Sequence, residues 1–301
     1  MAALIECIPN ISEGQRMEVL DEIREGLLKV PALKLLGLSP DTSHNRTVIT
    51  MLGDREPLLA AIEVLYRLTL KRVDLRQHKG EHPRLGAVDV VPFIPIRNVT
   101  MDQCVELAKQ AARLIWESFS VPVYLYEEAA SRPERKDLPN IRKGEFEGLA
   151  EKMKNPAWVP DFGAAEPHPS AGASVVGARP PLIAYNINLG TDRFEVADRI
   201  AKSIRFIGGG FRFVRAMGVA LDDRKLVQVS INMVNFKKTP LFRVFETVKR
   251  EAARYGVNVV SSEIVGFVPE EALLETADFY LQFENFDPSQ VLERKIAELE
   301  S

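Results

Sequence analysis

The sequence is sparing in several features, and each shortage removes a class of protein. It holds two cysteines, Cys7 and Cys104, far apart in 301 residues. No disulfide is expected; both read as buried thiols of a reducing compartment. No apolar run approaches the roughly 20 residues that span a bilayer. The first residues, MAALIECIPNISEGQR, carry neither a basic leader nor a useful apolar stretch. A cytoplasmic chain with no membrane partner is the expectation. An excess of charge is missing too: 39 Lys and Arg face 42 Asp and Glu, for a net charge of -3. That balance gives no global field for nucleic acid or an anionic membrane, though a local basic patch for a small anion stays open. Four histidines occur, with no His-x-x-x-His or Cys-x-x-Cys spacing, so no metal is expected. A Gly-x-Ser-x-Gly elbow, a P-loop and a dinucleotide fingerprint are all missing.

What is present is 46% hydrophobic composition, ample for one large core or two ordinary domains. A strand is expected at 4–9. Ser12 with Gln15 forms a capping-box pattern before a helix whose Val19, Leu20, Ile23 and Leu27 recur at helical spacing. Strands follow at 33–38 and 46–52, separated by the turn-rich SPDTSHN. Asp54 opens a second helix, and 86–96 forms another strand. Thr100 with Gln103 caps a third helix, to about Phe119, and VPVYLY closes this half. Residues 127–163 mix charge and proline and read as a connector. In the second half LIAYNINL is a strand. Thr191 caps a helix that GGG at 208–210 ends. FRFVRAMGVAL and LVQVSINMV are strands turned by Asp222 and Asp223. Thr239-Pro240 opens a helix, Gly256 stops it, and VNVVSSEIV is the last strand. Short helices at 270–279 and 288–300 complete the chain.

The second half thus reads β-α-β-β-α-β, the split ferredoxin-like order, and the first half shows the same order plus one helix and one strand. The expected fold class is α+β, with two such subdomains: 1–126, a connector at 127–180, and 181–301. Alternation sends Val227, Val229, Ile231 and Met233 to one sheet face and Gln228, Ser230 and Asn232 to the other. Asn186 and Asn188 join the polar face, which reads as uncharged and suited to hydrogen-bonding a heterocycle.

The most distinctive stretch is HKGEHPRLGAVDVVPFIPI, from His78 to Ile96. Pro83 holds His82 extended, at the mouth of an apolar strand. Such a histidine is either a packed residue or an acid/base, and a cationic Arg84 on the same side would favour the base form. His44 lies in a turn, His78 is expected to end a helix, and His168 stands between two prolines.

Taken together, ECIPNISEG, NRTV, HKGEHPRLGAVDVVPFIPI, VPVYLY, WVPDFG, GARPPLIAYNINLG and LVQVSINMVNF resemble the formiminotransferase domain, from residue 4 to about 285. The helical cyclodeaminase domain that accompanies it in bifunctional members has no counterpart here, so a stand-alone transferase is implied. The resemblance implies two ferredoxin-like subdomains with a ligand groove between their sheets, in a homodimer. It implies transfer of a formimino group from N-formimino-L-glutamate to N5 of tetrahydrofolate, a co-substrate, in histidine breakdown. The family's catalytic histidine falls on His82. Its folate-binding segment falls on Gly163, Ala164, Ala165, Glu166, Pro167, His168, Pro169, Ser170, Ala171 and Gly172. Asp41, Arg84, Asn186 and Asn188 are further candidate substrate contacts. In family members the loop before NRTV is acidic; here either Asp41 supplies the carboxylate from a shifted place or Ser39 leaves it missing. They carry a tryptophan where Ala171 stands, and His168 is the candidate replacement stacking surface. A separate cyclodeaminase partner is compatible with this reading. The alternatives are formyl transfer, involving formylglutamate or 5-formyltetrahydrofolate, a non-catalytic folate-binding protein, and a plain ferredoxin-like regulatory domain.

Overall fold

The computed structural model describes residues 3–42, 44–80, 83–221 and 224–299. The chain forms two compact units, 1–179 and 180–301, each with its own core. Residues 127–179 therefore belong to the first unit.

The first unit is built on a mixed seven-stranded sheet. Its strands are β1 (Leu4–Cys7), β2 (Asn10–Ile11), β3 (Lys34–Asp41), β4 (Arg46–Gly53), β5 (Val88–Arg97), β6 (Val123–Glu127) and β7 (Ser174–Ala178). The spatial order runs β3, β4, then β1 and β2 in line, then β5, β7 and β6. The pairs from β3 to β5 are antiparallel, and those of β7 with β5 and β6 are parallel. SVVGA, the sequence of β7, is buried at every position. It shows no alternation because a strand in the middle of a parallel set is covered on both faces. Pro95 of β5 lies beyond the last residue paired with β7, an edge position where proline is tolerated.

Three long helices pack against the sheet: α1 (Met17–Leu28), α2 (Arg55–Arg72) and α3 (Met101–Phe119). Asp54 caps α2 and the Thr100–Gln103 box caps α3, as expected from local chemistry. Ser12 does not cap α1. Its hydroxyl donates to the carbonyl of Gly86 at 2.8 Å, and the buried Glu13 carboxylate instead accepts from the backbone N–H of Gln15 and Arg16. Helices α4 (Leu138–Arg142) and α5 (Glu145–Met153) lie in the segment read as a connector.

The second unit holds β8 (Ile183–Leu189), α6 (Phe194–Ile204), β9 (Val214–Leu221), β10 (Leu226–Met233), α7 (Leu241–Arg254) and β11 (Val259–Val265). Its sheet is antiparallel throughout, in the order β11, β8, β10, β9. Val227, Val229, Ile231 and Met233 point into the core with Tyr185, Ile187 and Leu189. Helix α6 begins at Phe194, two residues later than a Thr191 cap would place it; Thr191 Oγ1 accepts from the N–H of Arg193 in the turn before it. Pro240 is the N-cap residue of α7 rather than its first helical residue. Gly256, at φ 68°, ends that helix in the left-handed conformation glycine favours. The turn at Asp222 and Asp223 lies outside the described residues. Helices α8 (Glu270–Leu281) and α9 (Leu292–Leu299) follow.

Candidate active site

His82 and Glu81 lie outside the described residues; the segments on either side of them are described. Helix α2 ends at Arg72, where the N–H of Val73 donates to Thr69. His78 therefore stands six residues past the helix, in a turn closed by the carbonyl of Asp74. Its Nε2 is 2.8 Å from the carbonyl oxygen of Asn45, and its Nδ1 accepts from Nε of Arg84 at 3.2 Å. Because Arg84 is only a donor, this pattern puts the His78 proton on Nε2.

Asn45 is the hub of the same corner. It is buried, at φ 47°, a left-handed conformation that asparagine tolerates. Its Nδ2 donates to the carbonyl of Lys79 and its Oδ1 accepts from the N–H of Gly14. Gly80 packs on the backbone just before it, and a Cβ there would lie 2.3 Å from the carbonyl oxygen of His44.

On the C-terminal side, Arg84 spans back to α5 with Nη1 3.2 Å from Glu145 and Nη2 2.6 Å from Glu147. Burial opposes its charge, but the Glu147 and Glu145 contacts outweigh this and raise its pKa. Hydrogen bonding from Arg84 in turn lowers the pKa of Glu147. Asp89, buried in β5, accepts from the N–H of Leu85 at 2.7 Å and of Gly86 at 3.3 Å, and its other oxygen pairs with Arg142. An uncompensated carboxylate in an apolar strand would be costly, so these partners are what allow it there.

The segment 163–172 joins this framework. His168 and Gly172 exchange backbone hydrogen bonds at 2.8 and 2.9 Å, closing a tight loop. Nδ1 of His168 accepts from the N–H of Ala171 at 3.0 Å, and burial lowers the pKa of this ring. Ala87 donates to the carbonyl of Ala171, and Ala173 to that of Leu85. The loop is thereby zipped to residues 85–87, immediately after the histidine-bearing segment. Ala164, Ala165, Glu166 and Pro169 are exposed, Gly163, Pro167, His168 and Ser170 are half-buried, and Ala171 and Gly172 are buried. Asp41, at the end of β3, is exposed and accepts from both the N–H and Nδ1 of His44.

Asn186 and Asn188 occupy the sheet of the second unit, on the face opposite its core. Nε2 of Gln228 donates to Asn188 at 2.9 Å and to Glu263 at 3.1 Å; Asn188 donates to Ser261, and Asn186 to Glu263. The face is therefore not uncharged as expected, because β11 brings Glu263 onto it.

Reading the sequence missed Asn45, Arg46, Asp89, Arg142, Glu145 and Glu147. Asp89 was detectable as an acid inside an apolar run, and Asn45 and Arg46 begin the NRTV motif.

The chain matches the family model of the formiminotransferase domain, N-terminal subdomain, over residues 4–179, and that of the formiminotransferase domain over 184–297. It is 48% identical over 297 residues to a glutamate formimidoyltransferase of Streptococcus pyogenes, covering 98% of this chain and 99% of that one. A glutamate formimidoyltransferase of Thermoplasma acidophilum is 45% identical, with 98% and 97% covered. The formimidoyltransferase-cyclodeaminase of Rattus norvegicus is 46% identical over 93% of this chain, which spans about half (53%) of that longer protein. With both of its units matched in sequence order, the chain belongs to the formiminotransferase-domain family.

Proposed function

We propose that this protein is a glutamate formimidoyltransferase, moving the formimino group of N-formimino-L-glutamate to N5 of tetrahydrofolate. The observation that carries the reading is 48% identity, over nearly the whole of both chains, to a protein of that name. The donor is an amidine whose carbon becomes electrophilic on protonation. N5 attacks this carbon, a tetrahedral triamine forms, and the C–N bond to glutamate breaks. N5 gives up one proton and the departing glutamate amine takes one up, so the exchange balances.

His82 is the proposed carrier of that proton, a role worth roughly 10²–10⁴-fold in rate. The segment 163–172 is the proposed folate-binding loop, which would make the stretch 127–180 functional as well as connecting. Holding both substrates together would lower the barrier further, by up to ~7–11 kcal/mol in favourable cases. Each unit is proposed to be ferredoxin-like, with the ligand groove, the homodimer and the cytoplasmic setting that go with this reading. A separate cyclodeaminase would act on the product.

The test is incubation of the purified protein with tetrahydrofolate and either formiminoglutamate or formylglutamate. A 5-formimino product from the first donor alone is expected; a formyl product, or folate binding without turnover, overturns the reading. His82→Ala should lose roughly 10²–10⁴-fold in kcat while still binding folate. Unchanged kcat in that variant would remove His82 from the mechanism.

A further inference from the structure

A narrow cleft in the first unit is lined by Ser12, Asn45, Arg46, His78, Arg84 and Asp89, among others. Three guanidinium groups belong to this neighbourhood, and two are committed. Arg84 is held by His78, Glu145 and Glu147, and Arg142 is paired with Asp89. Arg46, the first residue of β4, is half-buried, and its side chain has no ion-pair or hydrogen-bond partner among the described residues. Asp41 stands opposite it in the β3–β4 register, with its carboxylate engaged by His44. Burial and the nearby Arg142 lower the pKa of Arg46, and Asp89 and Asp41 offset this only in part. Arginine keeps its charge even so. A half-buried guanidinium whose donors meet no carboxylate directly among the described residues suits one from a ligand, which it can grip through two parallel N–H donors.

We propose that Arg46 anchors a carboxylate of the formimidoyl donor, an inference that rests on the transferase reading above. Two sources of carboxylate exist in that reaction: the donor, and the glutamyl tail of folate. Arg46 follows Asn45, which ties down His78 and Lys79 at the start of the segment carrying His82. In the donor, the α-carboxylate sits on the carbon that bears the formimino nitrogen. It lies a few bonds from the reacting centre. In folate the carboxylates lie at the far end of the aminobenzoyl arm from N5. A carboxylate site beside the reacting segment therefore fits the donor.

Steady-state kinetics on wild type, Arg46→Gln and Arg46→Lys decide the matter. Arg46→Gln should raise KM for formiminoglutamate about 10- to 100-fold, the worth of a charge-assisted hydrogen bond or a pair of them, and leave KM for tetrahydrofolate unchanged. Arg46→Lys should recover part of the loss. With N-formiminoglycinamide, a donor that has no carboxylate, Arg46→Gln and wild type should be equal; a merely structural role would depress both donors alike. An unchanged donor KM overturns the proposal, as does equal loss with the carboxylate-free donor. A rise in KM for tetrahydrofolate instead would place the folate tail at Arg46 and overturn the donor assignment. If wild type transfers no formimidoyl group, the reaction reading fails separately, and calorimetry with formiminoglutamate takes over. Binding to wild type that is lost in Arg46→Gln and retained in Arg46→Lys supports the anchor; no binding to wild type overturns it.

Discussion

Nε of Arg84 donates to Nδ1 of His78 at 3.2 Å, joining the residues that flank positions 79–83. The contact joins the two ends of the loop segment to which His82 belongs in sequence. His78 passes the constraint on, because its Nε2–H donates to the carbonyl of Asn45. The loop is thus fastened to the start of β4 and, through Glu145 and Glu147, to α5. His78→Ala should lower kcat about tenfold or more, while losing only ~1–2 kcal/mol of stability, the usual worth of a hydrogen bond or two. His78→Gln, whose amide nitrogen can take the place of Nε2–H, should recover much of kcat. Kinetics and denaturant unfolding on both variants check this. Equal loss in Gln and Ala would show that the donor at this position does not position the loop.

Gly80 gives a second handle on the same loop. A Cβ at this residue would meet the His44 carbonyl oxygen at 2.3 Å and the Cβ of Asn45 at 2.9 Å. Neither neighbour is the free end of a flexible side chain, so the loop itself must shift. Gly80→Ala should cost ~1–3 kcal/mol of stability by overpacking. Its kcat should fall well beyond what the folded fraction explains. A thermal melt alongside activity at a temperature where the variant is fully folded separates the two effects.

The start of α1 predicts a pH effect. The pKa of Glu13 is lowered: burial works to raise it, but the backbone N–H groups of Arg16 and Gln15, with the Arg16 side chain, outweigh that. Its folded pKa therefore lies below its ordinary 4.5. The stabilisation is complete above the unfolded value and is lost as pH falls through the folded one. Glu13→Gln should thus be less stable than wild type at neutral pH, and the gap should narrow below pH ~4.5. Urea midpoints at pH ~7 and pH ~3.5 measure it; a gap that widens in acid would show that the carboxylate is not held in its charged form.

What was legible in the sequence was what is decided locally. Asp54, the Thr100–Gln103 box and Gly256 act within one turn of their own helix, and each does what its residue type suggests. Ser12 and Gln15 match the same pattern, yet Ser12 reaches a carbonyl 74 positions away, so a tertiary bond overrode the local one. β7 was missed because a strand buried on both faces has no alternation to read, and its partners lie tens of residues earlier. The site divides the same way. His82, Arg84 and the 163–172 loop carry a recognisable motif. The clamp on Arg84 and Asp89 uses Arg142, Glu145 and Glu147 from a charged stretch, and nothing nearby in sequence says that this stretch folds back onto them.

Position 171, in the proposed folate-binding loop, can be tested directly for an aromatic side chain. A tryptophan there would add a stacking surface, worth ~0.5–1.5 kcal/mol if it met the pterin. Here, however, Ala171 is 1% exposed and belongs to the core of the first unit. Its N–H is held by His168 and its carbonyl by Ala87, so its backbone is fixed on both sides. A large ring at this position has to enter packed space. Ala171→Trp should lose ~1–3 kcal/mol or more by overpacking, and should leave folate affinity no tighter than in wild type. Thermal unfolding and folate titration on the variant check both parts. An unchanged melting temperature with a lower Kd for folate would mean that the side chain at 171 turns toward the ligand, and that an aromatic there strengthens pterin binding.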